Sequence, residues 1–80
     1  MNLPLALKII KEAEAHGGHH YHVHTGVEAR EVQQMAEVGL VKASEIDDPI
    51  NPHEATIDRV THAGRQFVRA LRDAPRYALA

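Results

Sequence analysis

The stretch TGVEAREVQQMAEVGL, residues 25–40, decides the fold because it predicts one complete helix with both ends marked. Thr25 is a favourable N-cap, and Glu28 three residues later completes a capping-box pattern. Four apolar residues recur at helical spacing on one face: Ala29, Val32, Met35 and Ala36. Gly39 then supplies the residue type that most easily adopts the left-handed conformation that ends a helix.

The other face of this helix carries the side chains that can read DNA. Arginine pairs with guanine edges and glutamine with adenine edges, so Arg30, Gln33 and Gln34 are candidate DNA-binding residues. Lys42 and Arg59 can add phosphate contacts. The same residue types are also ordinary solvent-facing helix formers. Three carboxylates on this helix would repel phosphates: Glu28, Glu31 and Glu37.

The segments before this helix predict a helix and a short strand. Residues 2–16 predict the first helix, capped by Asn2 and ended by a double glycine. Its expected buried stripe, with Ala6 beside it, comprises Leu3, Leu7, Ile10 and Ala13. Residues 19–24, HHYHVH, predict a strand in which His20, His22 and His24 share one face.

The segments after it predict a hairpin and a last helix. Residues 41–46 and 56–61 are expected to form antiparallel strands joined by a proline-containing loop, in which Asp47 and Asp48 act as turn formers. Ile57 and Val60 cannot both face the core of a regular strand, so either one is exposed or a bulge intervenes. The last helix is expected from the Thr61 cap to about residue 74, with an apolar stripe of Gly64, Phe67, Val68 and Leu71.

The composition indicates one folded domain covering residues 1–80. The apolar fraction is 44%, but a chain this short buries a modest core, so a homodimer is expected to add stability. Without cysteine there is no disulfide framework, and the cytoplasm is the expected compartment. No apolar run reaches the roughly 18 residues that span a bilayer, so no membrane partner is expected. A net charge of −2 gives no general attraction to nucleic acid, where the local charge distribution decides.

The order of these elements and two motifs resemble a winged helix. In that superfamily the recognition helix often ends in E-x-G-L-[VI], as residues 37–41 do here. The strand after the wing often leads into [LV]-T-x-x-G-[RH]-x-F-[LV], as residues 60–68 do. The chain is similar to small winged-helix proteins of bacteria and prophages that share the closing Leu-Arg-Asp of residues 71–73. The resemblance implies a compact α+β winged helix with three helices and a short antiparallel sheet of two or three strands.

One departure from that pattern bears on DNA binding. Winged helices usually have a further helix that braces the recognition helix, and this chain has HHYHVH there instead.

Two further side-chain groups are candidate sites. Imidazole is the commonest metal ligand, so His20, His22 and His24 can bind zinc or nickel, although their spacing matches no specific motif. A polar strand without metal and a pH-sensitive interface are the alternatives. On the last helix, four arginines can bind phosphates or an acidic protein surface, unless they form only a solvated face: Arg65, Arg69, Arg72 and Arg76.

These observations lead to three hypotheses about function. No phosphate-binding loop, nucleophile elbow or HExxH pattern is present in the sequence, so neither an enzyme nor a cofactor is expected. The leading hypothesis is a transcription regulator of a bacterium or mobile element that binds double-stranded DNA. The second is a winged helix that binds protein, as an adaptor or as a phage-encoded inhibitor such as an antagonist of a host defence complex. The third is a metal-binding protein.

Overall fold

The computed structural model describes residues 1–73, and of Arg72 and Asp73 it describes the backbone alone. Within that range there are three helices and three strands. In chain order they are α1 (Leu3–Ala15), β1 (His19–Val23), α2 (Gly26–Glu37), β2 (Val41–Ser44), β3 (Ala55–Val60) and α3 (His62–Asp73). The strands form one antiparallel sheet in the order β1-β3-β2. Helices α1 and α2 pack against each other and on the sheet, and α3 contacts α1.

This α+β architecture fits a winged-helix layout and confirms the expected fold class, with three strands in the sheet. The loop between β2 and β3, residues 45–54, occupies the position of the wing. Residues 16–25, between α1 and α2, contain β1 and turns rather than a helix. The chain therefore departs from the usual winged helix at the point that its sequence indicated.

The ends of α2 follow from local chemistry. The Thr25 hydroxyl accepts a hydrogen bond from the Glu28 backbone N–H at 3.2 Å and donates to the Glu28 carboxylate at 3.0 Å. The Glu28 carboxylate therefore bonds the Thr25 hydroxyl, whereas in a complete capping box it bonds the N-cap backbone N–H. Gly39 has φ +84°, and the Leu40 N–H reaches back to the Met35 carbonyl at 2.9 Å, which closes a Schellman motif.

The core is aliphatic, and α1 contributes a different stripe from the one expected. Its buried residues are Ala6, Ile9, Ile10 and Ala13. Leu3 is 43% exposed and Leu7 is half-buried, so their assignment to the core was wrong. The apolar residues of α1 occupy neighbouring angles around the helix axis, so the sequence is compatible with either of two adjacent buried stripes. Contact with α2 and the sheet selects the stripe that contains Ile9.

A bulge in the central strand resolves the conflict between Ile57 and Val60. The pairing register of β2 and β3 shifts between Lys42 and Ala43, which leaves Asp58 without a backbone register partner on β2. The extra residue shifts the alternation of inward and outward side chains by one position, so that Ile57 and Val60 are both buried. The bulge alternative predicted from the sequence is thus confirmed.

The boundaries and alternation of the strands differ in detail from the expectation. β2 ends at Ser44 rather than at residue 46, and β3 covers Ala55–Val60 rather than 56–61. In β1, His20 has φ +56°, a conformation that interrupts regular alternation. Regular alternation would put His19 and Val23 on the same face of the sheet. Instead His19 is exposed and Val23 is buried.

Helix α3 is positioned by contacts at its first turn. The Thr61 N–H donates to the Leu40 carbonyl at 3.1 Å, and the Thr61 hydroxyl accepts from the Gly64 N–H at 3.0 Å. A Cβ on Gly64 would overlap the Leu40 carbonyl oxygen and lie 2.9 Å from Val60 Cγ1. The Thr-x-x-Gly pattern therefore has a structural reason. The threonine hydroxyl caps α3, and the glycine lets α3 pack closely against Leu40, just before the start of β2. Within the described residues, no helix combines the length and apolarity that crossing a bilayer requires.

Candidate functional site

Two of the three DNA-reading candidates on α2, Arg30 and Gln33, hold the β2–β3 loop. Arg30 Nη2 donates to the carbonyl oxygen of Ile50 at 3.2 Å, and Gln33 Nε2 donates to that of Pro49 at 2.8 Å. The loop therefore lies against the α2 face that was expected to enter a DNA groove. Gln34 is half-buried beside it. A base edge would have to compete with these two carbonyls for the same donors.

The loop is ordered by its own hydrogen bonds. Asp47 Oδ1 accepts from the backbone N–H groups of His53 at 2.9 Å and Glu54 at 3.1 Å. These bonds hold the pKa of Asp47 below its usual value, since they stabilise the charged carboxylate. Asp48 Oδ1 accepts from the Ile50 N–H at 3.0 Å. The predicted turn-forming role of Asp47 and Asp48 is confirmed.

The charge of the loop is of one sign. Residues 45–54 contain four acidic side chains and no lysine or arginine: Glu45, Asp47, Asp48 and Glu54. All four are exposed. A loop of this charge repels a phosphate backbone, which DNA-binding surfaces attract with Lys and Arg.

A groove opens beside the loop, between the N-terminal ends of α1 and α2. Its volume is about 520 Å³, and its apolar lining comprises Met1, Leu5, Val27 and Pro52. Three large apolar side chains here are exposed: Met1 by 51%, Val27 by 71% and, on the adjoining loop, Ile50 by 86%. We call this region, made of the groove and Ile50, the loop–α2 face.

A second surface lies on the sheet. Lys42 of β2 and Arg59 of β3 are register partners, and His19 of β1 is the partner of Arg59 on the other side. All three are exposed. The two residues predicted to contact phosphate are therefore neighbours in space. They lie on the sheet, and not on the face of α2 that carries the DNA-reading candidates.

The arginines of α3 are only partly within the described chain. Arg65 and Arg69 are exposed one helical turn apart, and Arg65 Nη1 donates to the Val60 carbonyl at 3.1 Å. The backbone of Arg72 lies in α3, and its side chain is outside the description. Arg76 lies outside the described residues. The continuous line of four arginines stays a prediction.

The histidines of β1 divide into two groups. His22 and His24 have ring centroids 4.5 Å apart, and the Glu54 carboxylate lies close to both. His20 packs its ring on His19 instead, at 5.3 Å between centroids. The structure therefore gathers two of the three histidines expected to share a site and replaces the third with a glutamate.

Sequence reasoning missed Glu54 and the buried carboxylate of Glu31. Val23 pairs with Ala55, so the same register places Glu54 opposite His24. The sequence alone does not reveal this, because it does not show that β1 pairs with β3. Glu31 is 5% exposed and accepts from the Asn2 backbone N–H at 3.2 Å, which links the starts of α1 and α2. Its helical position had suggested a solvent-facing charge.

Comparison with known proteins finds no matching family model, no matching curated protein and no matching solved structure.

Proposed function

We propose that this protein is a non-enzymatic protein-binding module, an adaptor or inhibitor, whose partner docks on the loop–α2 face. The observation that carries the proposal is the acidic loop held across Arg30 and Gln33, with exposed Ile50 and Val27 beside it. A DNA-reading helix needs those donors available to base edges. Here one guanidinium nitrogen of Arg30 and the amide nitrogen of Gln33 donate to loop carbonyls instead.

The groove supports a partner that inserts an apolar side chain. Protein interfaces concentrate binding energy in a few well-packed apolar pockets, surrounded by polar contacts that exclude water. The groove is lined by Met1, Leu5 and Val27, and Ile50 lies on the adjoining loop segment. Exposed apolar groups gathered in one region of a small domain are typical of an interaction site.

Charge complementarity sets the chemistry of the partner. Four carboxylates lie on the loop. One guanidinium nitrogen of Arg30 donates to the loop backbone, at the Ile50 carbonyl. A partner with lysines or arginines around an apolar protrusion would gain electrostatic steering from this surface. We therefore propose a basic-rimmed protein surface as the partner.

Double-stranded DNA remains the second candidate, and one observation favours it. Lys42 and Arg59 are register partners on exposed positions of the sheet, with His19 next to them. Such a row can bind phosphates without sequence readout. The loop–α2 face would then take no part in binding.

Photocrosslinking tests the docking face with a matched control at the opposite end of α2. A photoreactive amino acid replaces Val27, or Val38 at the other end of α2, where the wild-type side chain is similarly exposed at 63% against 71%. In lysate, we expect position 27 to crosslink a protein with a basic surface that position 38 does not. Ile50→Asp should remove the product, and added salt should weaken it. Equal products at positions 27 and 38, or a yield unchanged by Ile50→Asp, would overturn the proposal.

Two further variants separate the alternatives. Arg65→Glu with Arg69→Glu should leave crosslinking at position 27 unchanged, because those arginines lie on α3. A gel shift with random duplex DNA at low salt tests the second candidate. Binding that Lys42→Ala with Arg59→Ala abolishes, together with unspecific crosslinking at position 27, would establish DNA binding in place of the proposed function.

A further inference from the structure

We propose that His22, His24 and Glu54 form a binding site for a divalent transition-metal ion, with zinc as the first candidate. The inference does not need the proposed partner-binding function, since it rests on the junction of β1 with the start of β3, although Glu54 is also one of the four carboxylates of the acidic loop. No other trio of His, Cys, Asp or Glu in the described chain brings its ligand atoms together in this way.

The backbone places the three ligands on one side of the sheet. His22 pairs with Thr56 and Val23 with Ala55, so the same antiparallel register brings His24 opposite Glu54. Residues two apart on a strand point to the same face. His22 and His24 therefore flank the carboxylate from one strand while Glu54 approaches from the next.

The distances suit closure around a small ion. Glu54 Oε1 lies 3.9 Å from His22 Nε2 and 3.8 Å from His24 Nδ1. The three ligand atoms all lie within 4.8 Å of one another. Zinc bonds nitrogen and oxygen at about 2.0–2.2 Å, so tetrahedral ligand atoms lie roughly 3.3–3.6 Å apart. The two distances to Glu54 need to shorten by only a few tenths of an ångström, and side chains that are 72% exposed at His24 and 53% exposed at Glu54 have room to move.

A buried hydroxyl orients the least exposed of the three ligands. His22 Nδ1 lies 2.6 Å from Thr56 Oγ1, and Thr56 is 6% exposed. When Nδ1 carries the proton and donates it to this oxygen, the Nε2 lone pair is free on the side of Glu54. Metal-binding histidines commonly have such a partner on the second ring nitrogen, which fixes tautomer and ring orientation. Thr56 would be the positioning residue of this site.

The ligand set also indicates which ions are suitable. Two imidazoles and one carboxylate suit zinc and its first-row neighbours better than magnesium or calcium, which prefer oxygen ligands alone. Three protein ligands leave a coordination position for water or for a group from another molecule. Among the residues that the structure describes, no fourth His, Cys, Asp or Glu joins these three ligands.

Calorimetric titration of the full chain with zinc chloride at pH 7.5, in a buffer that does not chelate metal, tests the site. We expect one saturable ion per chain for the wild type. His24→Ala and Glu54→Gln should abolish that binding step, and both positions are exposed enough for the fold to tolerate the change. Thr56→Val should weaken the affinity about 10–100-fold, the usual effect of losing a partner to a metal-binding histidine.

Two histidine variants provide the matched controls. His53→Gln changes the neighbour of Glu54, and His20→Asn changes the histidine that the strand pattern alone would have included, with a residue that tolerates positive φ. Both should bind zinc as the wild type does. Absence of a saturable ion in the wild type, or an equal loss in every histidine variant, would overturn the assignment. Circular dichroism of each variant separates loss of the site from loss of the fold, and if Thr56→Val unfolds, His24→Ala and Glu54→Gln decide the question.

Discussion

Replacing Gly64 by alanine tests the packing that places α3. The new Cβ would overlap the Leu40 carbonyl oxygen and lie 2.9 Å from Val60 Cγ1 and 3.1 Å from the Leu40 carbonyl carbon. These neighbours are backbone atoms and a buried side chain, so no flexible group can move aside. Either α3 or the start of β2 has to shift, and the hydrogen bonds of Thr61 depend on their present separation.

The expected loss of stability can be worked from these contacts. Overpacking a well-packed core costs about 1–3 kcal/mol. Weakening the two bonds from the Thr61 N–H and hydroxyl toward Leu40 costs about 1 kcal/mol each. Alanine returns at most about 1 kcal/mol through its higher helix propensity. The balance is a loss of about 2–4 kcal/mol, a large part of the roughly 4–12 kcal/mol expected for a domain of 80 residues.

Urea unfolding followed by circular dichroism measures this loss, and thermal unfolding should show a fall in Tm of roughly 10–30 °C. Ala63→Gly is the matched control, because Ala63 is exposed in the same turn. It removes a Cβ where none is in conflict, and should cost about 1 kcal/mol or less. A Gly64→Ala protein as stable as the wild type would refute the close approach of α3 to the Leu40 carbonyl.

Two further predictions concern titrating groups. The hydrogen bond from the Tyr21 hydroxyl to Glu12, at 2.7 Å, together with burial, raises the pKa of Tyr21 to about 12. Its stabilisation is present below pH 10 and is lost as the pH rises toward 12, so Tyr21→Phe should lower stability by about 1 kcal/mol at neutral pH and flatten the alkaline fall measured by urea titration. Bonds from the backbone N–H groups of His53 and Glu54 lower the pKa of Asp47, so its contribution is present above pH 4 and is lost at lower pH. Asp47→Ala should lower the protection factors for amide exchange at His53 and Glu54 at neutral pH, and remove the loss of protection that we expect when the wild type is acidified below pH 4; unchanged protection factors at pH 7 would contradict this role.

The contacts between α2 and the loop bear most on the functional question. From the sequence, Arg30 and Gln33 were equally consistent with DNA reading and with solvent exposure. In the fold they donate to carbonyls of a loop that carries four carboxylates. Their hydrogen-bonding capacity thus contributes to holding the acidic loop in place, which is why protein binding becomes the better-supported proposal.

The sequence by itself determined the features that depend on neighbouring residues. Thr25 and Gly39 marked the ends of α2, because capping and left-handed geometry are set within one helical turn. The Thr61 cap marked the start of α3 for the same reason. The conflict between Ile57 and Val60 even indicated that a bulge was one of two solutions.

Only the tertiary structure decided the features that join distant segments. The stripe of α1 that enters the core, the position of the bulge at Asp58 and the meeting of Glu54 with His22 and His24 all depend on which strands pair and in what register. Register is set by packing of the whole core, and the bulge moves every later side chain to a new face. Short-range periodicity contains no information about those pairings. The groove, the hydrogen bonds between α2 and the β2–β3 loop, and the metal-site geometry therefore became visible only in the folded chain.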